Sequence, residues 1–286
     1  MEVIICTSQP EAASLVARHV CELVRSKPAA VLGLATEAIP QLTYTEMIRI
    51  AQQEAISFGA VRAFMLHEYL GISDDDLGTS RNRIRYLTDG VGIKSENVYV
   101  LPNQLSSGPE PDVELAEECE RFEKAIVDVG GIDLQLLGVG PRGRIAFNEP
   151  LSSLASRTRV KTLTEWTREV VAERFLDVEI SGDDLDSLAY SVSGGTDNVP
   201  DHVVTQGVGT ILDSRHAILI ATGTEQAKIV AQAIEGPLSS FIPASALQLH
   251  PHATVVLDNE AARELEMKEY YNQVRQKKRY IQLPVT

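Results

Sequence analysis

Between Glu11 and Ser26 the apolar residues fall at Ala12, Leu15, Val16, Val20, Leu23 and Val24, the spacing of one helix face. A short apolar run at Val3 to Cys6 precedes this segment, and another, Ala30 to Thr36, follows it. Pro40 to Gln53 again has helical periodicity, so the chain opens as βαβα. Further apolar runs predict strands over Val61 to Tyr69, Val98 to Leu101, Ile132 to Val139, His216 to Ala221 and Thr254 to Leu257. Helical patterns at Val113 to Val129 and Thr224 to Glu235 lie between them. Such alternation implies an α/β fold, a mainly parallel sheet covered by helices on both faces.

Polar stretches predict the loops. Ser73 to Arg83 is acidic and then polar. Leu176 to Pro200 carries Asp183, Asp184, Asp186 and the pair Gly194, Gly195, and has the character of an insertion around residues 176–200. No low-complexity linker and no fixed-period repeat divides the chain, so residues 1–286 are expected to form one domain. Ligands of open parallel sheets bind beyond the carboxyl ends of the strands. That rule selects Ala35 to Pro40, Leu66 to Gly71 and Gly138 to Pro150.

Composition narrows the partners. With 44% hydrophobic residues among 286, the chain can bury a substantial core. A net charge of −14 argues against nucleic acid or an anionic membrane, both of which need basic patches. Cys6, Cys21 and Cys119 are odd in number and unpaired in spacing, suggesting neither a disulfide framework nor a zinc site. A reduced cytoplasm fits best, and the N-terminus lacks both a basic leader and a run long enough to span a bilayer.

Several motifs have plain readings. Gly138-x-Gly-x-x-Gly143 matches a dinucleotide fingerprint formally, but Pro150 comes too soon for the long helix that the fingerprint opens. His67-Glu68 lacks the second histidine of a helical zinc motif, so no metal is expected. Tyr270 and Tyr271 suit helix packing or a subunit contact.

Read together, the three loop segments resemble the glucosamine-6-phosphate deaminase family, which is related to the 6-phosphogluconolactonases. The similarity is strongest in Ile145-Ala-Phe-Asn-Glu-Pro150 and Ser152-Ser-Leu-Ala-Ser-Arg-Thr-Arg-Val-Lys-Thr-Leu163. It extends through Glu68-Tyr69 with Gly71, Gly207-Val-Gly-Thr-Ile-Leu-Asp213 and Leu247-Gln-Leu-His-Pro251. The resemblance implies a three-layer αβα fold and, as in many members, a homo-oligomer up to a ring-shaped hexamer. The implied reaction converts glucosamine 6-phosphate to fructose 6-phosphate and ammonia without a cofactor. It needs a base to move a proton between adjacent carbons, a histidine backed by carboxylates to open the ring, and a phosphate cradle.

Against that pattern the chain is rewritten. The family's aspartate base falls at His67. Its ring-opening run Gly-Val-Gly-Asn-Asp-Gly-His becomes Gly138-Val-Gly-Pro-Arg-Gly-Arg144, placing Arg142 and Arg144 at the aspartate and histidine, and leaving Glu149 of that group. A guanidinium has no acceptor and cannot shuttle protons. At the phosphate end Pro-Thr-Gly-Gly-Thr-Pro becomes Ala35-Thr-Glu-Ala-Ile-Pro40, where Thr36 is kept and Glu37 should repel phosphate. The family's lysine aligns with Gln226, Lys228 lies two residues on, and Arg174 matches the phosphate-binding arginine. Pairing of Glu37 with Arg142 or Arg144 across the cleft is one expected consequence. Ser152, Arg159 and Lys161 match the family's subunit-interface pocket for an activating amino-sugar phosphate, though the segment could equally serve assembly alone.

Two readings follow. In the first, the protein lacks ordinary deaminase activity and binds a sugar phosphate or similar anion in a regulatory role, through Thr36, Glu37, Glu68, Arg142, Arg144 and Arg174. In the second, it is an enzyme on a phosphorylated amino sugar, with His67 as base and Glu149 as second acid/base. Lactone hydrolysis, as in the related phosphogluconolactonases, fits less well, because Asn148-Glu149-Pro150 favours the deaminase branch.

Overall fold

The computed structural model describes residues 1–36, 41–73, 78–104, 111–172, 196 and 199–278. Seven strands form an all-parallel sheet in the order β1-β10-β9-β6-β2-β3-β5: β1 (Glu2–Cys6), β2 (Val31–Leu34), β3 (Arg62–Met65), β5 (Val98–Tyr99), β6 (Leu134–Gly138), β9 (His216–Ala221) and β10 (Ala253–Asp258). Every residue of β2, β6 and β10 is buried, as expected for strands covered on both faces.

Helix α1 (Gln9–Ser26) starts at Ser8, whose hydroxyl accepts the Glu11 amide at 3.4 Å, and carries Pro10 in its first turn, where a missing N–H costs nothing. Its buried face, Ala12, Val16, Val20 and Val24 among others, packs with α2 (Gln41–Gln53) and α3 (Ser80–Val91) over Leu32, Leu34, Leu134 and Leu136. On the other face, α4 (Pro111–Asp128) places Leu115, Phe122 and Ile126 against Val31 and Phe64, while α7 (Ala227–Ile234) covers Leu219 and Val255. Short helices α5 (Glu165–Val171) and α6 (Val208–Leu212) and the C-terminal α8 (Lys268–Lys278) complete the order.

Pattern and structure part in three places. The run Val61 to Tyr69 is two strands, because the chain leaves the main sheet at Leu66. Leu66 N still donates to Leu34 O at 3.2 Å, but its carbonyl accepts from Gln206 N at 2.8 Å, and β4 (His67–Tyr69) joins a second sheet. That sheet, β4-β8-β7, is antiparallel and also contains β7 (Arg159–Thr162) and β8 (His202–Thr205). The polar stretch from Ser73 becomes helix at Ser80, capped by the Thr79 hydroxyl on Asn82 N at 3.1 Å and closed by Gly92 in the left-handed region. Thr224 to Glu235 divides into a 3-10 turn, Thr224–Gln226, and α7. Most of the stretch expected as an insertion around 176–200 lies outside the described residues.

Candidate active site

The carboxyl ends of β2, β3 and β6 bring together Thr36, His67 and the loop 140–151. His67 is the second residue beyond β3, and its Nε2 lies 3.4 Å from Thr36 Oγ1, which is 3.3 Å from Ser80 Oγ. The His67 ring is 2% exposed and meets Phe147 at 4.7 Å between centroids, edge to face, with Tyr69 5.9 Å away.

Beyond β6 the chain turns sharply. Gly140 N donates to Arg144 O at 2.8 Å and Pro141–Gly143 form a 3-10 turn, with no long helix following. Arg142 sits at φ 58° and Ala146 at φ 49°, left-handed conformations that cost a non-glycine residue about 1–2 kcal/mol. Gly143 cannot be replaced cheaply: its φ is +73° and an added Cβ would come 2.6 Å from Ile242 Cγ2. Buried polar groups hold the loop in this shape. Asn148 Nδ2 donates to Gln206 O at 2.8 Å and Ile145 O at 3.1 Å, and Phe147 N donates to Thr205 Oγ1 at 3.1 Å.

Both arginines lie on aromatic rings. The Arg142 guanidinium carbon is 4.1 Å from the centre of Trp166, and that of Arg144, a residue 5% exposed, is 4.4 Å from the centre of Phe147. Phe147 therefore carries Arg144 on its ring and His67 against it. Glu149 is half-buried and accepts a hydrogen bond from Thr167 Oγ1.

Glu68, expected at the ligand, has a structural occupation. Its Oε1 accepts the amides of Tyr69 and Ser80 at 3.0 and 2.9 Å, and its Oε2 accepts that of Arg81 at 3.3 Å, which seats the carboxylate on the N-terminus of α3. Burial raises its carboxyl above the usual range, and these amides act against the rise. Glu37 and Arg174, and with them the expected Glu37 pairing, lie outside the described residues. Gln226 ends the 3-10 turn before α7, on which Lys228 is exposed.

On β7, Arg159 and Lys161 are two residues apart and share a face. Burial depresses the Arg159 guanidinium below its ordinary value, and its Nη1 donates to Arg157 O at 3.2 Å. Ser152 is 4% exposed, and among the described residues its Oγ has no hydrogen-bond partner. The intervening segment is pinned: Arg157 pairs with Glu123 at 3.2 Å and Asp213 at 2.6 Å, and Thr158 N donates to Glu123 at 2.8 Å.

No family model matches the chain. Individual proteins do: it is 44% identical over 273 residues to a glucosamine-6-phosphate deaminase of Rhodococcus jostii, covering 95% of each chain, and 41% identical over 272 residues to that of Bifidobacterium longum subsp. infantis, covering 94% of each. The chain belongs to the glucosamine-6-phosphate deaminase family. A solved monomeric glucosamine-6-phosphate deaminase superposes with a TM-score of 0.80 at 35% identity, over 92% of this chain and all of that one. The 6-phosphogluconolactonase of Trypanosoma brucei shares the fold, with a TM-score of 0.66 at 18% identity over 92% of this chain and 98% of its own.

Four of the expected site residues come together in two pairs. His67 and Arg144 meet on Phe147, while Arg142 and Glu149 meet consecutive residues of α5. Sequence reading missed Trp166 and Thr167 as site residues. The signal was present as Thr164-x-x-Thr167, the N-cap spacing of a helix start, just beyond the family-like run, with the chain's single tryptophan inside it. Among the described residues no cluster of three or more His, Cys, Asp or Glu could hold a metal, and no helix is long and apolar enough to cross a membrane.

Proposed function

We propose that this member of the deaminase family binds a phosphorylated sugar without carrying out the ordinary deamination, and acts by sensing or regulation. What carries the reading is that His67, Arg142 and Arg144 stand where the family resemblance puts proton-transfer residues, and that both guanidinium groups lie on aromatic rings. A guanidinium so placed can bind an anion but cannot accept a proton. Ser152 supports a second anion site: a buried hydroxyl lacking a partner among the described residues, in the same run as Arg159 and Lys161, is suited to a phosphate oxygen. The proposal includes a homo-oligomer, as large as a hexamer, and cytoplasmic residence. Light scattering on the purified protein separates that assembly from a monomer like its solved relative.

A thermal-shift series with glucosamine 6-phosphate, N-acetylglucosamine 6-phosphate, fructose 6-phosphate and phosphogluconate, paired with an ammonia-release assay, tests the reading. Stabilisation without ammonia is expected, and ammonia release at ordinary deaminase rates would refute it. A second reading keeps catalysis, with His67 as base and Glu149 as acid/base. What favours it is that Glu149 is retained and hydrogen-bonded and that His67 Nε2 has a hydroxyl within 3.4 Å. Under it, His67→Asn abolishes turnover; under the first, His67→Asn leaves binding largely intact.

A further inference from the structure

Across residues 139–151 the loop beyond β6 carries two guanidinium groups, Arg142 and Arg144, against one carboxylate, Glu149, which accepts from Thr167. Arg142 is exposed. Among the described residues its guanidinium has neither an ion-pair nor a hydrogen-bond partner, and it rests on the Trp166 ring. A ring attracts the positive charge and takes none of the five N–H donors, so the whole fork of Arg142 stays available. The backbone beneath it is left-handed, at φ 58°, a conformation that non-glycine residues keep chiefly at active sites, ligand clamps and switches.

The kind of anion follows from the backbone amides. Phosphate sites are built from free N–H groups at a helix N-terminus or in a nest of successive amides. This turn has spent most of its own. Gly140 N donates to Arg144 O at 2.8 Å, Gly143 N to Gly140 O at 3.2 Å and Arg144 N to Pro141 O at 3.4 Å, while Pro141 has no N–H. Phe147 N is likewise taken by Thr205 Oγ1 at 3.1 Å. What remains is a planar fork without an amide cradle, and its match is a carboxylate, planar and able to accept two N–H bonds side by side. We infer that the site takes a phosphorylated sugar acid, and that Arg142, held by Trp166, selects its carboxylate. Arg144, 5% exposed on Phe147, adds a second positive charge to the same turn. This rests on the sugar-phosphate reading above and goes further by naming a second anionic group on the ligand.

The test uses the full chain and two ligands that differ at one carbon: gluconate 6-phosphate, which ends in a carboxylate, and glucitol 6-phosphate, which ends in an alcohol. Calorimetry gives the affinities of wild type, Arg142→Gln and Arg142→Gly. The glycine variant accepts the left-handed φ without strain, so its fold is not at risk. Hydrogen bonds to a charged group should make the wild type prefer gluconate 6-phosphate by about tenfold or more. Both variants should bring the two ligands within about twofold of each other by weakening gluconate 6-phosphate alone. Three results overturn the inference and leave the sugar-phosphate reading standing: no preference of the wild type for gluconate 6-phosphate, a preference that survives both variants, or equal weakening of both ligands, which would assign the phosphate to Arg142. If the wild type binds neither of these ligands, nor glucosamine 6-phosphate or fructose 6-phosphate, the reading and the inference fall together.

Discussion

Replacing Gly207 by alanine should be among the most damaging single-methyl additions in this protein. Gly207 has φ −75° and ψ 165°, which any residue can adopt, so the change carries no backbone penalty of its own. The damage is steric. An added Cβ would lie 2.0 Å from Ser156 O, 2.2 Å from Ser156 C and 2.5 Å from Arg157 O, all backbone atoms of a segment that cannot rotate away. Relief requires a shift of more than about 1 Å, against packing that ordinarily charges about 1–3 kcal/mol for such an insertion. The same shift would break Gly209 N to Ser156 O at 2.9 Å and Val208 N to Ser156 Oγ at 3.0 Å, each contributing about 1 kcal/mol. The expected loss is about 3–5 kcal/mol, read as a lower denaturant midpoint and a fall in Tm of roughly 6–20 °C. Gly59→Ala is the control, since its added Cβ would meet only Ser57 Oγ at 3.6 Å. A Gly207→Ala protein within about 1 kcal/mol of wild type would refute the packing described for residues 156–158.

Other consequences follow from buried polar groups. Glu68→Gln leaves one oxygen for three backbone amides, and equilibrium denaturation should register a loss of about 1–3 kcal/mol, greater still for Glu68→Ala. Burial pushes His216 down to about 4 and also lowers His19 and His250. A histidine whose folded value lies below its unfolded value of about 6.5 stabilises the fold fully above that pH and progressively less as pH falls toward 4. Denaturation midpoints should therefore hold above pH 6.5 and drop below it, with a shallower drop in His216→Gln; a flat profile from pH 7.5 to 4.5 would contradict this. Burial pushes the thiols of Cys6, Cys21 and Cys119 up to about 11, so a thiol reagent at pH 8 should label the native protein slowly and the unfolded chain at once.

The periodicity of apolar positions was enough to determine the parallel α/β layout, because burial on both faces leaves continuous apolar runs in β2, β6 and β10 and a single apolar face on α1. Family-like motifs likewise indicated the family to which the chain belongs. What only the tertiary structure decided depends on contacts distant in sequence. The run Val61 to Tyr69 passes for one strand, yet Gln206, some 140 residues on, takes the Leu66 carbonyl and turns His67 into a second sheet. Glu68 reads as a cleft carboxylate until α3 places its free amides over it. That Arg142 and Arg144 lie over Trp166 and Phe147 is likewise invisible in the local sequence. Local sequence dictates which groups are present and which face of an element they share; where a charge ends up depends on the nearest ring, amide or carboxylate, and that partner is chosen by the packing of elements far apart in the chain.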